Sequence, residues 1–137
     1  MEIEAFLLCD AATDQQGKLN VLGAFNHIFT RQIPYTLPSC AIAARMRFEK
    51  IESGSHPLKI NLIDEDGHGV GPKVSGKLDV QVPDNLDSLA INFIFQIRDL
   101  TLNHYGKYRI DLAVDGQIQN QLPFRVVPVP NQPQQDS

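Results

Sequence analysis

Apolar side chains recur at every second position through much of this chain. In residues 40–49, Cys40, Ile42, Ala44, Met46 and Phe48 alternate with Ala41, Ala43, Arg45, Arg47 and Glu49. In residues 89–98, Leu89, Ile91, Phe93, Phe95 and Ile97 alternate with Ala90, Asn92, Ile94, Gln96 and Arg98, and in 108–114 Tyr108, Ile110, Leu112 and Val114 alternate with Arg109, Asp111 and Ala113. A strand sends successive side chains to opposite faces, so this spacing predicts half-buried strands, one face on a core and the other in water. No segment carries a sustained i, i+3, i+4, i+7 apolar stripe, which predicts the absence of a long helix.

Five further strands are expected near 2–10, 18–29, 57–63, 73–82 and 117–127. Asp14-Gln15-Gln16-Gly17, Asp64-Glu65-Asp66-Gly67 and Asp115-Gly116 supply turn chemistry between them, because Gly and Asp tolerate positive φ. Pro34, Pro38, Pro57, Pro72 and Pro83 fall at strand ends or in loops. Pro123 lies inside the last strand and makes it an edge or bulged strand there, since proline cannot donate to a ladder. Asn120 shares a parity with Ile118 and Leu122, which adds the expectation of a bulge or a buried hydrogen bond. Short strands at regular spacing without crossover helices predict an all-β fold: an antiparallel two-sheet β-sandwich, immunoglobulin-like, of seven to nine strands. A closed barrel is the second choice, and strand order is not legible. Gly106-Lys107-Tyr108 opens a core strand directly after a loop, the place for a tyrosine corner with its hydroxyl bonded to backbone a few residues upstream.

The 137 residues suffice for one domain, expected over 1–127. Residues 128–137, PVPNQPQQDS, lose apolar content and read as a disordered Pro/Gln-rich tail. A formal charge of −4 argues against nucleic acid, which needs a basic stripe to displace counterions. Leu7-Leu8 before Cys9 superficially suggest an export or lipoprotein peptide. Glu2 and Glu4 stand where such a peptide carries Lys or Arg, and the apolar run Ala5–Cys9 is too short. No segment approaches the ~20 apolar residues of a membrane helix, so no membrane partner and a cytoplasmic location are expected.

Candidate chemistry is sparse. Asp64, Asp66 and His68 form the densest group of potential metal ligands. Gly67 follows Asp66 at once and the downstream carboxylate of a calcium hand is missing, so a solvated turn is expected unless Asp10, Asp14 or Asp84 joins from another loop. Gly67–Pro72 lacks both phosphate-loop spacings and precedes a strand. Cys9 and Cys40 are potential nucleophiles, with His27, His56, His68 and His104 as potential bases, but both cysteines lie in phase with apolar neighbours and read as structural. Cys9 in particular shares its parity with Ile3, Ala5 and Leu7. No CxxC, HxH or HxxxH pair points to zinc. Arg45 and Arg47, two apart on one polar face, are either an anchor for an acidic partner or part of a solvated face with Glu49. No catalytic, cofactor-binding or metal residues are therefore expected, and no cofactor.

Phe6-Leu7-Leu8-Cys9-Asp10-Ala11-Ala12, Gly17-Lys18-Leu19-Asn20-Val21-Leu22-Gly23-Ala24-Phe25 and Ile33-Pro34, with Gly106-Lys107-Tyr108-Arg109-Ile110 and Val114-Asp115-Gly116, resemble an uncharacterised family of small bacterial β-sandwich proteins, a domain of unknown function. The resemblance implies an antiparallel sandwich in a bacterial cytoplasm and supplies no catalytic residues. The expected function is a non-enzymatic binding or assembly module acting through a sheet edge or end loops, with a protein partner or self-association. The alternative is a small-ligand protein or enzyme with a site on the loops 30–39, 64–72, 83–88 and 99–105.

Overall fold

A computed structural model describes residues 1–130 and contains nine strands. They are β1 (Glu2–Gln15), β2 (Lys18–Ala24), β3 (His27–Thr30), β4 (Tyr35–Glu49), β5 (Gly54–Asp64), β6 (Val74–Val80), β7 (Ser88–Leu102), β8 (Gly106–Val114) and β9 (Gln117–Pro128). The one helical element described is a 3-10 turn over Lys50–Glu52. Four strands form a sheet in the order β2-β1-β4-β7, and five form a second in the order β3-β9-β8-β5-β6. The expected sandwich, with nine strands and no long helix, is the observed architecture. Of the tail expected over 128–137, Pro128 is instead the last residue of β9 and the Val129 amide donates to the Thr30 carbonyl at 3.1 Å, while residues 131–137 lie outside the described residues.

The expected 18–29 strand is two strands in different sheets. The Phe25 amide still donates to the Leu8 carbonyl at 2.9 Å, while the Asn26 carbonyl already accepts from the Arg125 amide at 2.9 Å. The chain thus changes sheets at this dipeptide. β3 then runs parallel to β9, pairing His27 with Arg125 through Thr30 with Pro128. This one pair departs from the antiparallel expectation that the other pairs follow: a strand that crosses from one sheet to the other keeps its direction and runs alongside β9 the same way.

Set beside an immunoglobulin-type sandwich, β1, β4 and β7 occupy the places of strands A, B and E, and β9, β8, β5 and β6 those of G, F, C and C′. β8 carries the tyrosine corner at its start: the Tyr108 hydroxyl donates to the His104 carbonyl at 2.8 Å and faces the His104 amide at 3.1 Å. Ile110, two residues on, stands where antibody domains carry the second cysteine of their inter-sheet disulfide. Here Cys9 and Cys40 are both free and buried, and apolar packing holds the layers together. No described strand stands at the place of D, beyond β7.

The core forms from the positions the alternation assigned. Cys40, Ile42, Ala44, Met46 and Phe48 of β4 and Ile110 and Leu112 of β8 have no exposed surface. A register shift between Ile3 and Ala5 puts Ile3 on the core side with Phe6 and Leu8, so it does not share the face of Ala5, Leu7 and Cys9 as simple parity suggested. The expected irregularity near Asn120 is a bulge, Leu112 pairing with Asn120 but Ala113 with Ile118. Pro123 is accommodated because β3 pairs only with residues 125–128 of β9.

The other face of β4 departs from the expectation of water. Ala41 and Ala43 are fully buried, together with Cys9. Beyond Cys9, β1 leaves β4 and continues only with β2, and this long hairpin leans across the sheet. At its tip, the Gly17 carbonyl accepts from Arg45 Nη1 at 2.8 Å and Asn92 Nδ2 at 3.2 Å, and the Asp14 carboxylate accepts from Asn92 Nδ2 at 3.0 Å. Gln16 and Gly17 both have positive φ, the geometry of a two-residue primed turn. The small side chains at 41 and 43 leave room for the arm.

Candidate functional site

β7 terminates its sheet, with β4 on one side and no strand on the other. Its register with β4 is constant from Tyr35 opposite Leu102 to Glu49 opposite Ser88, and unbroken from Ser39 opposite Arg98 onward; Pro38 and Asp99, the latter at φ 54°, are left out of the ladder. From Ser88 to Ile97 it carries ten residues without a charge, bounded by Asp87 and Arg98. Every residue from Ser88 to Phe95 is half-buried, whichever face it occupies. Leu89, Ile91, Phe93 and Phe95 pack against the core on the inner face, and Ile94 packs on the outer one beside Ala41 and Ala43. A strand in this state has one row of backbone donors and acceptors unpaired, and apolar side chains covered on one flank alone.

Natural sheets usually protect their edges by shortness, charge, proline or bulges. β3 has four residues; β2 and β6 have seven each, and β6 places Lys77 and Asp79 on its outer side. β7 has fifteen residues and, over its uncharged run, none of these devices.

The loops named for a small-molecule site do not all meet. Pairing of Tyr35 with Leu102 puts residues 31–34 and 103–105 at one end of the sandwich, and the Lys107 amide donating to Glu65 Oε1 at 2.8 Å brings 65–73 there too. Residues 81–87 lie at the opposite end, since Gly54 pairs with Val80 and Glu49 with Ser88. Parts of the expected loops 30–39 and 99–105 are strand. Beside the turn that carries Glu65, a groove of about 490 Å³ runs over the outer face of β8 and β9, lined by Glu65, Lys107, Arg109, Pro123 and Arg125 among others.

Asp64, Asp66 and His68 do come together, their ligand-type atoms lying within 4.8 Å of one another. The local bonding explains the cluster as a turn: Asp64 Oδ1 accepts from the amides of Asp66 and His68, each at 2.9 Å. Those amides hold the Asp64 carboxyl below its usual range. Asp10, Asp14 and Asp84 do not join the cluster.

Burial pushes the Cys40 thiol up to about 11 and raises that of Cys9, so neither is a thiolate at neutral pH. The Cys9 thiol donates to the Ala41 carbonyl at 3.5 Å. The four histidines are dispersed: His27 beside Asn26, His68 in the acidic turn, His104 under the tyrosine corner and His56 at the opposite end of the sandwich. Arg45 and Arg47 face Glu4 and Glu2 of β1, Arg45 Nε lying 2.9 Å from Glu4, so their charges are met within the chain.

Residues 4–127 match the model of a family of unknown function, DUF6941. The chain belongs to that family. The match runs from β1 almost to the end of β9, so DUF6941 is, in this member, the sandwich itself. No curated protein matches the chain. Among the described residues no helix is long and apolar enough to cross a membrane.

The sequence pointed to a sheet edge without saying which. The bare edge of β7 had a signal in the ten uncharged residues between Asp87 and Arg98. Its position beside an empty place in the sheet is a matter of topology and had none. Asp111 was also missed as a special residue. It is buried on the outer face and held by Arg109, whose Nε and Nη2 lie 2.7 and 3.2 Å from its two oxygens.

Proposed function

We propose that this DUF6941 chain is a non-enzymatic binding or assembly module, acting in a bacterial cytoplasm, that accepts an extended segment of another chain along β7. The observation that carries the reading is the long, uncharged and unpaired edge at the place where an immunoglobulin-type sheet would continue into strand D. Adding a strand satisfies the outward row of backbone groups and covers the exposed flank of Leu89, Ile91, Phe93 and Phe95.

The groove at the loop end supports the second reading, a small-ligand site. Acid–base catalysis fits it poorly. The carboxyl there whose pKa is moved, Asp64, is moved away from neutrality, and the Arg109 guanidinium is held charged by Asp111.

A photoreactive amino acid placed at Ala90, at Glu65 and at Lys59 in cells of the native host tests the choice. Adducts with a protein partner from position 90, absent from positions 65 and 59, are the expected result. Adducts from position 65 alone would move the site to the loop end, and a thermal-shift screen of small molecules would then address the second reading.

A further inference from the structure

We propose that the strand added to β7 is β7 of a second copy, antiparallel across a two-fold axis, joining two four-stranded sheets into one of eight. This rests on the edge reading above and names its partner.

A two-fold axis perpendicular to a sheet makes neighbouring edge strands antiparallel and requires the same patch on both sides. Residues directly opposite each other in such a pair share a face of the sheet, so the axis must pass through a residue position. Near the centre of the uncharged run the choices are Asn92 and Phe93. An axis at Phe93 sets Asp87 opposite Asp99 of the second copy, a like-charge pair. An axis at Asn92 avoids it. The inner face then sets Leu89 opposite Phe95 and Ile91 opposite Phe93, and the outer face sets Ala90 opposite Ile94 and Ser88 opposite Gln96. Leu89, Ala90, Ile91, Phe93, Ile94 and Phe95 each meet an apolar residue, Ile97 meets Asp87, and no two like charges along β7 are set opposite each other. From Ser88 to Gln96 the run is thus complementary to itself on both faces at once. The uncharged stretch spans about 34 Å at the ~3.4 Å rise of a strand, ample for a continuous ladder. Cyclic two-fold assembly is also the commonest arrangement for chains that associate with themselves.

Two substitutions charge this edge while suiting the isolated chain. Ala90→Glu places a carboxylate opposite Arg47 of β4, and Ser88→Lys places an ammonium opposite Glu49. In the dimer, the first buries a charge against Ile94 of the second copy. Sedimentation equilibrium over a concentration series should show wild-type protein at twice the 15.3 kDa chain mass, with association weakened at least tenfold in both variants. Circular dichroism establishes that the variants are folded. A wild-type dimer undisturbed by either substitution overturns the proposal, because the interface then lies elsewhere.

A wild-type monomer at every concentration overturns it too, and hydrogen exchange separates the two readings in that case. Fast exchange at alternate β7 amides leaves an edge open to a different partner. Protection of those amides in the monomer removes the edge reading as well.

Discussion

Single side chains fix the two ends of the sandwich, and they differ in how far sequence reveals them. Tyr108 was readable because a corner tyrosine needs only a loop, a strand start and a carbonyl four residues upstream. Its hydroxyl is buried and bonded at both His104 backbone groups. Tyr108→Phe should therefore lower unfolding stability by about 1 kcal/mol in urea titration, the usual net value of such a bond. An unchanged midpoint would make the corner incidental. His56 had no local signal, since its partner Asp115 is 59 residues away. Its Nε2 lies 2.5 Å from the Glu52 carbonyl and its Nδ1 2.8 Å from the Asp115 carboxylate, and its ring packs at 4.8 Å from that of Phe48. Both partners are acceptors, so only the imidazolium satisfies both, and its pKa is raised by the carbonyl first and the carboxylate next. A group with a raised folded pKa stabilises fully below its unfolded value of about 6.5 and loses that contribution as pH rises through the folded value. The stability advantage of wild type over His56→Gln should accordingly be largest below pH 6 and shrink on the alkaline side. An advantage that grows with pH would contradict this.

Elements show where period-two reasoning is strong and where it stops. Alternation identified the core face of β4 residue by residue, because that face depends only on the pleat. It could not tell that the opposite face is covered, because the cover is a hairpin tens of residues away in sequence. The clue was size: Ala41 and Ala43 are the smallest residues on that face, and a backbone arm packs over small residues. Replacing Ala43 with Leu should cost about 1–3 kcal/mol by overpacking. It should also speed amide exchange in Lys18–Leu22 by releasing the hairpin tip from Arg45 and Asn92. A variant as stable as wild type, with the hairpin amides unmoved, would show the arm to be loosely placed. The split of the expected 18–29 strand has a similar cause. Both halves have strand character, and only the bond partners of Phe25 and Asn26 reveal that they belong to different sheets.

At the scale of the whole molecule, composition set the class and topology set which strand is left at the edge. Four protonated histidines would bring the formal charge from −4 to zero. Turbidity should therefore peak between about pH 5 and 6, and a flat scan would contradict this. Strand count and sandwich class followed from patterning because each strand announces its own period. Strand order did not, because which strands neighbour β7 is decided by long-range pairing. That order is what matters most: it leaves a fifteen-residue strand, uncharged over Ser88–Ile97, at the edge where an immunoglobulin-type sheet would add strand D. The most direct test is residue-resolved amide exchange on Ala90→Glu, at a concentration where sedimentation equilibrium finds it monomeric. Slow exchange is expected at the β7 amides that point to β4 and fast exchange at the alternate ones between Ser88 and Ile97. Protection of both sets in that monomer would mean the edge is already covered within the chain, and the account of β7 as a docking strand would fall.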